Sequence, residues 1–294
     1  MVAADLAMYQ AKRNGKGRYE IYVPAMQARL MRTLGVEASL RRAVEREEFV
    51  LHYQPIVDLV DGRITALEAL VRWRHPSRGL VGPRHFVPLA EDTGLIVPIG
   101  LWVLREACRQ AAAWNAARPE GSPLTMSVNL SARQLQQTDL PKRAAQILLG
   151  TGLDPVCLVL EITESLLLHD TGEMLSRLKQ IKSLGLRLAI DDFGTGYSSL
   201  TYLRRFPVDI IKIDKSFVRE IAGGAETSVL ARAIVQLGRT LGLVTIAEGI
   251  EAVEQLAELR AAGCQLGQGN YFAKPLSGQE VEAMLVRPVV GQLG

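Results

Sequence analysis

Two adjacent carboxylates, Asp191 and Asp192, directly follow the apolar run 186–190. Like charges at the end of a buried strand repel each other and are costly to desolvate, so this pair suits a site that binds cations. Polar residues end six further apolar runs. These residues are Glu68, Asn129, Glu161, Lys212, Glu248 and Gln268. One such residue alone is usually solvated or ion-paired, but seven strand ends of this kind indicate a shared site.

The ligand types narrow the chemistry of that site. Carboxylates and the Asn129 carbonyl are hard oxygen ligands that suit Mg²⁺ or Mn²⁺, whereas zinc would favour histidine or thiolate. The four histidines have no HxxxH spacing and end none of the predicted strands. Adjacent aspartates suit two metal ions, because one carboxylate can bridge the ions while its neighbour binds the second. With one lysine and no GxSxG motif, this set fits phosphoryl chemistry better than carbonyl chemistry.

Lys212 is the one cation of the set, and two interpretations of it stay open. Period-2 spacing places it on the same strand face as Asp214, which predicts a salt bridge between them. Alternatively, its ammonium group contacts a phosphate oxygen or the attacking water.

Apolar runs that alternate with amphipathic helical patterns must position these residues. The predicted strands are 50–57, 64–73, 124–130, 158–164, 186–191, 210–214, 243–248 and 264–272. This order predicts an α/β fold, a (β/α)₈ TIM-like barrel with its site at the C-terminal mouth. A doubly wound sheet competes, but no glycine-rich fingerprint follows the first strand. The link 58–63 is too short for a parallel crossover, so one strand is expected to be antiparallel.

Helical periodicity precedes and separates the strands. The spacing over 35–49 predicts an amphipathic helix that buries one face. Its inward residues are Val36, Leu40, Val44 and Phe49. Two further helices, over 173–185 and 228–242, are predicted to stop at Gly185 and Gly242.

Composition excludes several classes of protein. The 34 basic and 31 acidic residues give a net charge of +3, and the basic residues are scattered, so duplex nucleic acid is not an expected partner. Three cysteines without CxxC spacing are typical of free thiols in a reducing compartment. The N-terminus has no signal-peptide core, and the apolar run 95–104 is too short to span a bilayer. We therefore expect a cytoplasmic location and no membrane contact for this chain.

A series of ordered motifs coincides with the predicted strand ends. They are YQPIV (53–57), EALVRW (68–73), FVPLAEDTGLI (86–96), VNLSARQL (128–135), LEITES (160–165), DDFGTGYSSL (191–200), IKIDKSF (211–217), AEGIE (247–251) and GCQLGQGNYFAKP (263–275). In this order they resemble the EAL-domain family of cyclic di-GMP phosphodiesterases, over about residues 36–290. The resemblance implies a barrel with one antiparallel strand that hydrolyses cyclic di-GMP to linear pGpG.

The resemblance also implies a metal centre. Two ions, Mg²⁺ or Mn²⁺, would be bound by five residues of this sequence. The first ion would be held by Glu68, Asn129, Glu161 and Asp191. The second ion would be held by Asp191 and Asp192.

Further roles follow from the same resemblance. Glu248 would be the general base or a ligand of the second metal, and Lys212 would orient the nucleophilic water. Glu164 would support the loop that begins at Asp191, a feature linked to homodimer formation. The residues expected on the substrate side are Gln54, Arg72 and Gln268, the last also hydrogen bonding within the site.

One region departs from the family pattern. Asn270 stands where an aromatic residue is common, and Ala273 and Lys274 replace the usual serine and arginine. These positions border the substrate, so they are expected to change affinity more than chemistry.

Two other functions compete with hydrolysis. A catalytically silent EAL domain that only senses cyclic di-GMP typically lacks a metal ligand or the base, and here every one is present. A barrel that acts on sugars or enolates would also use carboxylates, but it would not explain the ordered motifs.

The first residues are expected to belong to a separate domain. Residues 1–22 resemble the extreme C-terminus of a GGDEF (diguanylate cyclase) domain without its signature loop or metal site. The predicted organisation is a GGDEF remnant at 1–22, a linker at 23–35 and an EAL barrel at 36–290. We therefore expect no diguanylate cyclase activity from this chain.

Overall fold

The computed structural model describes residues 24–118, 121–167, 172–196, 203, 205–220 and 229–286. The predicted GGDEF remnant at 1–22 lies outside these ranges. The chain divides into two compact units, which are Met1–Phe49 with Trp73–Ile96, and Val50–Arg72 with Val97–Gly294. Among the helices in the described ranges, none has the length and apolar character needed to cross a bilayer.

Nine strands and eleven α-helices lie within the described ranges. The strands are β1 (Phe49–Asp58), β2 (Ile64–His75), β3 (Gly79–Val81), β4 (Thr125–Asn129), β5 (Leu158–Thr163), β6 (Arg187–Phe193), β7 (Ile210–Ile213), β8 (Val244–Ala247) and β9 (Leu266–Gln268). The helices are α1 (Pro24–Glu45), α2 (Val87–Thr93), α3 (Ile96–Ala116), α4 (Ala132–Leu135), α5 (Leu140–Thr151), α6 (Glu164–Leu167), α7 (Gly172–Lys182), α8 (Lys215–Glu220), α9 (Val229–Leu241), α10 (Val253–Ala262) and α11 (Gly278–Val286).

Eight strands form a closed barrel within the second unit. Hydrogen-bonded neighbours follow the order β1-β9-β8-β7-β6-β5-β4-β2, and a pairing of β1 with β2 closes the ring. The pairs from β2 through β4 to β9 are parallel, whereas β1 is antiparallel to β9. A tight turn, in which the Gly62 N–H donates to Asp58 O at 2.9 Å, forces β1 and β2 to run in opposite directions. The predicted barrel with one antiparallel strand is confirmed.

The interior of the barrel is layered along its axis. The layer nearest the N-terminal ends of the parallel strands is apolar and buried. It consists of Ile56, Ala66, Val159, Ala189, Ile210 and Ile246. Because side chains on a strand alternate between its two faces, residues two positions further along point into the same interior. The next layer therefore holds Glu68, Glu161, Asp191, Lys212 and Glu248, so the spacing of the sequence brings these polar residues together.

Helices α7 and α9 follow the predicted periodicity. In α7 the buried residues are Met174, Leu178 and Ile181, which form one stripe of a 3.6-residue helix. Gly185 after α7 has φ 93°, and Gly242 after α9 has φ 70°, the left-handed conformation in which glycine ends a helix without strain. Both predicted helices are confirmed.

The first helix differs from its prediction over 35–49. Helix α1 begins at Pro24 and so includes most of the expected linker, and Phe49 is the first residue of β1. Glu47 interrupts the helix, since its φ of 54° is left-handed. Phe49 packs against Phe86, with ring centroids 5.8 Å apart, instead of extending the helix face. Leu40 is the predicted helix residue that is fully buried.

The three cysteines, Cys108, Cys157 and Cys264, are free thiols and are buried. Burial raises the pKa of the Cys108 thiol to about 12, and it raises the pKa of the other two as well. Because the thiolate is the reactive form, these side chains are chemically inert in the folded protein.

Candidate active site

Five ionisable side chains of the second interior layer meet at the C-terminal mouth, with Lys212 at their centre. Its Nζ lies 2.6 Å from Glu161 Oε2 and 2.6 Å from Glu248 Oε1. The same nitrogen lies 3.2 Å from Asp191 Oδ1 and 3.5 Å from Glu68 Oε2. The Lys212 side chain is fully buried. The predicted strand-end residues thus converge on one ammonium group.

Lys212 does not balance the charge around it. One ammonium among four carboxylates leaves a formal charge of −3 when all five groups are ionised. Burial, the largest single influence, lowers the pKa of Lys212. The four carboxylates together outweigh it and raise this pKa well above its usual value. Burial also raises the pKa of Glu161 well above its usual value and that of Glu248 to about 8, although Lys212 acts in the opposite direction. A cation would relieve this excess of negative charge.

A β-bulge brings Asp191 and Asp192 to the same point. The register of β6 against β7 shifts between Ile190 and Phe193, and Asp192 has φ 53°, a left-handed conformation that aspartate tolerates better than most residues. Asp191, Asp192 and Glu248 each offer a carboxylate oxygen, and these oxygens lie within 4.8 Å of one another. Neighbours that would alternate on a regular strand can therefore serve one site.

Asp214 joins this group through Asp192 and not through Lys212. Burial, Asp191 and Asp214 together raise the pKa of Asp192 to about 6. Asp214 Oδ1 accepts hydrogen bonds from Ser216 N at 2.9 Å and from Ser216 Oγ at 2.5 Å. The predicted salt bridge between Lys212 and Asp214 is wrong, since the described carboxylates within 4.0 Å of Lys212 Nζ are the four named above. Sequence reasoning missed the contact with Asp192, although the position of Asp214 directly after β7 was a signal for it.

A row of side-chain amides holds Glu68 from the other side. Asn129 Nδ2 donates to Glu68 Oε1 at 2.8 Å, and Gln268 Nε2 donates to Glu68 Oε2 at 2.6 Å. Gln268 Nε2 also donates to Gln54 Oε1 at 2.9 Å, and Gln54 Nε2 donates to Ala273 O at 3.0 Å. Ala273 takes part through its backbone, so the absence of a serine side chain there does not alter this contact.

Arg72 lies four residues beyond Glu68 on the same strand, β2. Its guanidinium is half-buried, and Nη1 donates to the Val71 carbonyl at 2.9 Å instead of to a carboxylate of the cluster. Burial lowers the pKa of Arg72. Arg72 therefore stands apart from the hydrogen-bonded group formed by the other predicted site residues.

Glu164 supports the loop that follows the aspartate pair. Its carboxylate is buried, and Oε2 accepts hydrogen bonds from Gly194 N at 2.7 Å and Gly196 N at 3.3 Å. A Cβ at position 196 would lie 2.8 Å from Glu164 Oε1, so glycine is needed for this approach. Helix α6, which begins at Glu164, is thereby joined to the loop after β6.

The site fits a divalent metal ion. Glu161 Oε1 is buried and accepts no hydrogen bond, a state that is rare for buried polar atoms. Asp191 Oδ1 is also buried, and it has an ionic contact with Lys212 Nζ at 3.2 Å but no hydrogen bond of good geometry. They face an excess of negative charge, and the surrounding donors are oxygens, which hard cations such as Mg²⁺ and Mn²⁺ prefer. The acidic cluster at the mouth could therefore bind metal.

The sequence is similar to known proteins along most of the chain. The EAL domain family matches residues 37–275. Over 283 residues, 96% of this chain and 41% of the relative, the sequence is 43% identical to the bifunctional diguanylate cyclase/cyclic di-GMP phosphodiesterase MucR of Pseudomonas aeruginosa. Over 273 residues, 93% of this chain and 41% of the relative, it is 42% identical to the cyclic di-GMP phosphodiesterase PdeR of Escherichia coli.

The fold is also similar to that of a solved structure. The PaMucR phosphodiesterase in complex with c-di-GMP superimposes with a TM-score of 0.79 at 43% identity, covering 84% of this chain and 99% of that chain. The chain spans 41% of the length of each of the two curated relatives named above. The barrel, its acidic mouth and these matches lead to one conclusion: the chain belongs to the EAL domain family.

Proposed function

We propose that this barrel hydrolyses one phosphodiester bond of cyclic di-GMP and releases linear pGpG. The observation that carries the proposal is the group of four carboxylates around Lys212, which can serve as metal ligands. Two of their buried oxygens, Glu161 Oε1 and Asp191 Oδ1, accept no hydrogen bond. Family membership and relatives named as cyclic di-GMP phosphodiesterases support the choice of substrate.

Two Mg²⁺ or Mn²⁺ ions would be held by the oxygen donors of the mouth. The first ion would take Glu68, Asn129, Glu161 and Asp191. The second would take Asp191 and Asp192, which the bulge in β6 brings to one point. When bound, such ions polarise phosphoryl oxygens and make a neighbouring water more acidic.

Glu248 and Lys212 supply the remaining groups of the proposed reaction. The Glu248 carboxylate accepts a proton from the attacking water, and its place at the end of β8 orients it into the mouth. Lys212 keeps its proton, because the surrounding carboxylates raise its pKa. Its Nζ, 2.6 Å from Glu248 Oε1, therefore orients Glu248 and the water and does not act as a base.

Gln54, Arg72 and Gln268 are the proposed contacts to the substrate. Arg72 carries a positive charge near the mouth and is not paired with the carboxylate cluster, which leaves its guanidinium for a phosphate. Gln268 Oε1 is buried and accepts no hydrogen bond, so it can receive one from a substrate hydroxyl or amino group.

We also propose a homodimer in which the loop braced by Glu164 takes part. The two hydrogen bonds from Gly194 and Gly196 to Glu164 couple this loop to the aspartate pair. Light scattering at high protein concentration is expected to give twice the monomer mass. A monomer mass at every concentration would contradict the dimer.

The test of the proposed activity is incubation with cyclic di-GMP followed by chromatography for pGpG. We expect turnover with Mg²⁺ or Mn²⁺. With Ca²⁺, or with a chelator, we expect none, because calcium takes more ligands at longer distances and polarises water less. Binding of cyclic di-GMP without pGpG in Mg²⁺ and Mn²⁺ would instead identify a silent sensor module. Equal turnover in Ca²⁺ would contradict the proposed metal centre.

A further inference from the structure

A short loop leads from Glu248, at the end of β8, to helix α10, and it is packed on both sides. Gly249 has φ 70°, and a Cβ at this position would lie 2.5 Å from Cβ of Lys215 on α8. Ile250 is fully buried, and its N–H donates to Gln268 O at 3.1 Å. The loop that carries Glu248 is thus enclosed between α8 and β9.

Gln255, the third residue of α10, fixes the far end of this loop. Its side chain is buried, and Oε1 accepts hydrogen bonds from Glu251 N at 2.7 Å and Ala252 N at 3.0 Å. Its Nε2 donates to Val218 O of α8 at 3.2 Å. Ala252, the residue before the first turn of α10, has no side-chain acceptor. Of the two reciprocal hydrogen bonds of a capping box, Gln255 therefore makes the one that accepts from the Ala252 N–H.

The contact between Gln255 and α8 matters because α8 continues from the strand that carries Lys212. Strand β7 ends at Ile213, and α8 begins two residues later. The hydrogen bond to Val218 O therefore joins the two segments that bear the partners of the 2.6 Å contact between Lys212 Nζ and Glu248 Oε1. One buried side chain holds these segments at a fixed separation.

We propose that Gln255 is a positioning residue for Glu248 in the reaction. This role rests on the proposed function, because it assumes that Glu248 acts on the attacking water. Without the three hydrogen bonds, the loop is free to move, and Glu248 leaves the geometry set by Lys212. Changes in residues that orient a catalytic or metal-binding side chain typically cost about 10–100-fold in activity. The proposed substrate contacts lie on β1, β2 and β9. The loop contacts the backbone carbonyl of Gln268, whose side chain is held by Gln54 and Glu68, so KM changes little.

The test uses Gln255→Met at the buried residue and, as a control for the loss of side-chain hydrogen bonds, Gln265→Met at an exposed residue. Both keep the side-chain volume and remove hydrogen bonds. Gln265 serves a similar purpose at the opposite end of the barrel, where its Oε1 accepts hydrogen bonds from Thr245 N at 2.7 Å and Thr245 Oγ1 at 2.8 Å.

We expect kcat of Gln255→Met to fall about 10–100-fold, with KM within about twofold of the wild type. Gln265→Met is expected to keep the wild-type kcat. An unchanged kcat in Gln255→Met, or an equal loss in Gln265→Met, would overturn the proposal. If Gln255→Met does not fold, Gln255→Glu replaces it. This variant keeps the two accepted hydrogen bonds, loses the one donated to Val218, and is expected to lose kcat in the same direction.

Amide hydrogen exchange separates this proposal from the proposed function. The peptide that spans residues 249–252 is expected to exchange faster in Gln255→Met than in the wild type, and at the wild-type rate in Gln265→Met. A wild-type protein that does not hydrolyse cyclic di-GMP would refute the proposed function. Unchanged exchange in Gln255→Met would refute the positioning role, whatever the activity.

Discussion

At the N-terminal end of the barrel one lysine is paired with one carboxylate, whereas at the C-terminal mouth one lysine faces several carboxylates. Lys182 Nζ lies 2.5 Å from both oxygens of Asp209, and Asp209 Oδ2 also accepts the Leu188 N–H at 2.8 Å. Lys212 at the mouth faces four carboxylates, and Glu161 keeps an oxygen that accepts no hydrogen bond. Each of these two groups holds one lysine, and of the two the group at the mouth has more carboxylates than cations.

This difference indicates that the charged pair at the N-terminal end serves stability and the cluster at the mouth serves function. A pair such as Lys182 with Asp209 ties the beginnings of β6 and β7 together and leaves nothing for a ligand. The mouth keeps buried groups whose pKa values are far from their usual range, a feature that clusters at functional sites. The apolar layer between the two ends packs the strands against one another.

Among the substitutions that test the difference between the two ends, Glu248→Gln is expected to have the largest effect. The substitution keeps the shape of the side chain but removes its charge and basicity, so kcat should fall about 10²–10⁴-fold. Cyclic di-GMP should still bind, because its proposed contacts lie on other residues. Chromatography gives the rate and calorimetry the binding. A wild-type rate would mean that Glu248 is only a strand-end carboxylate.

Lys212→Met tests charge compensation at the mouth directly. Removing one partner of a buried ion pair usually destabilises a protein by about 3–5 kcal/mol, and here four carboxylates lose their shared cation. We expect the free energy of unfolding in urea to fall by that amount in the presence of a chelator. Added Mn²⁺ should restore part of the loss. A variant as stable as the wild type without metal would contradict the role of Lys212 as the internal counter-ion.

The pH dependence of metal binding sharpens the comparison further. Asp192, with a pKa of about 6, and Glu248, with a pKa of about 8, are raised from their usual values. Below its pKa each group carries a proton, and a metal ion bound at the aspartate pair favours the ionised form. Asp192 is already largely ionised above pH 6, so between pH 6 and 8 the proton that is lost belongs to Glu248. Mn²⁺ affinity should therefore increase between pH 6 and 8, by at most about tenfold per pH unit. Calorimetry at pH 6, 7 and 8 measures this change, and a constant affinity would contradict it.

The same raised pKa values make the opposite prediction for the metal-free protein. A carboxyl group whose pKa is higher in the folded state favours folding while the pH is below its unfolded value. This contribution is lost as the pH rises through the folded value of about 8 for Glu248. Stability with a chelator should therefore decrease over the range in which metal affinity increases.

The smallest effect is expected at the N-terminal end, from Asp209→Asn. Asparagine keeps an oxygen for the Leu188 N–H and loses only the charge that faces Lys182. Both side chains of the pair are about one-third exposed, at 30% and 32%, so the loss should be about 0.2–1 kcal/mol in urea unfolding. The turnover rate and the Mn²⁺ affinity should stay at wild-type values. A change in either would show that the two ends are not independent.

The positions of the site residues could be predicted because they depend on local rules. Period-2 alternation places Glu161 above Val159 and Lys212 above Ile210, and parallel strands bring their ends to one mouth. The partner of Lys212 could not be predicted in this way. Its partners lie on other strands, and the sequence of one strand does not determine its register against another.

Two local features also escaped prediction. The bulge at Asp191 and Asp192 depends on a register shift between β6 and β7, which no sequence window contains. The apolar spacing over 35–49 predicted a helix that continues through Phe49. The left-handed conformation of Glu47 prevents this, and Phe49 instead begins strand β1. In both cases tertiary packing decided what the local pattern left open.

The three buried thiols can be used to measure local opening of the barrel. Cys108 lies in α3, Cys157 in the turn before β5, and Cys264 just before β9, so they sample three sectors of the barrel. An alkylating reagent reaches each sulfur only when its sector opens, and the rate of labelling then follows the population of that open form. Mass spectrometry of the three labelled peptides, with and without Mn²⁺, would therefore map which sectors a bound cation holds closed.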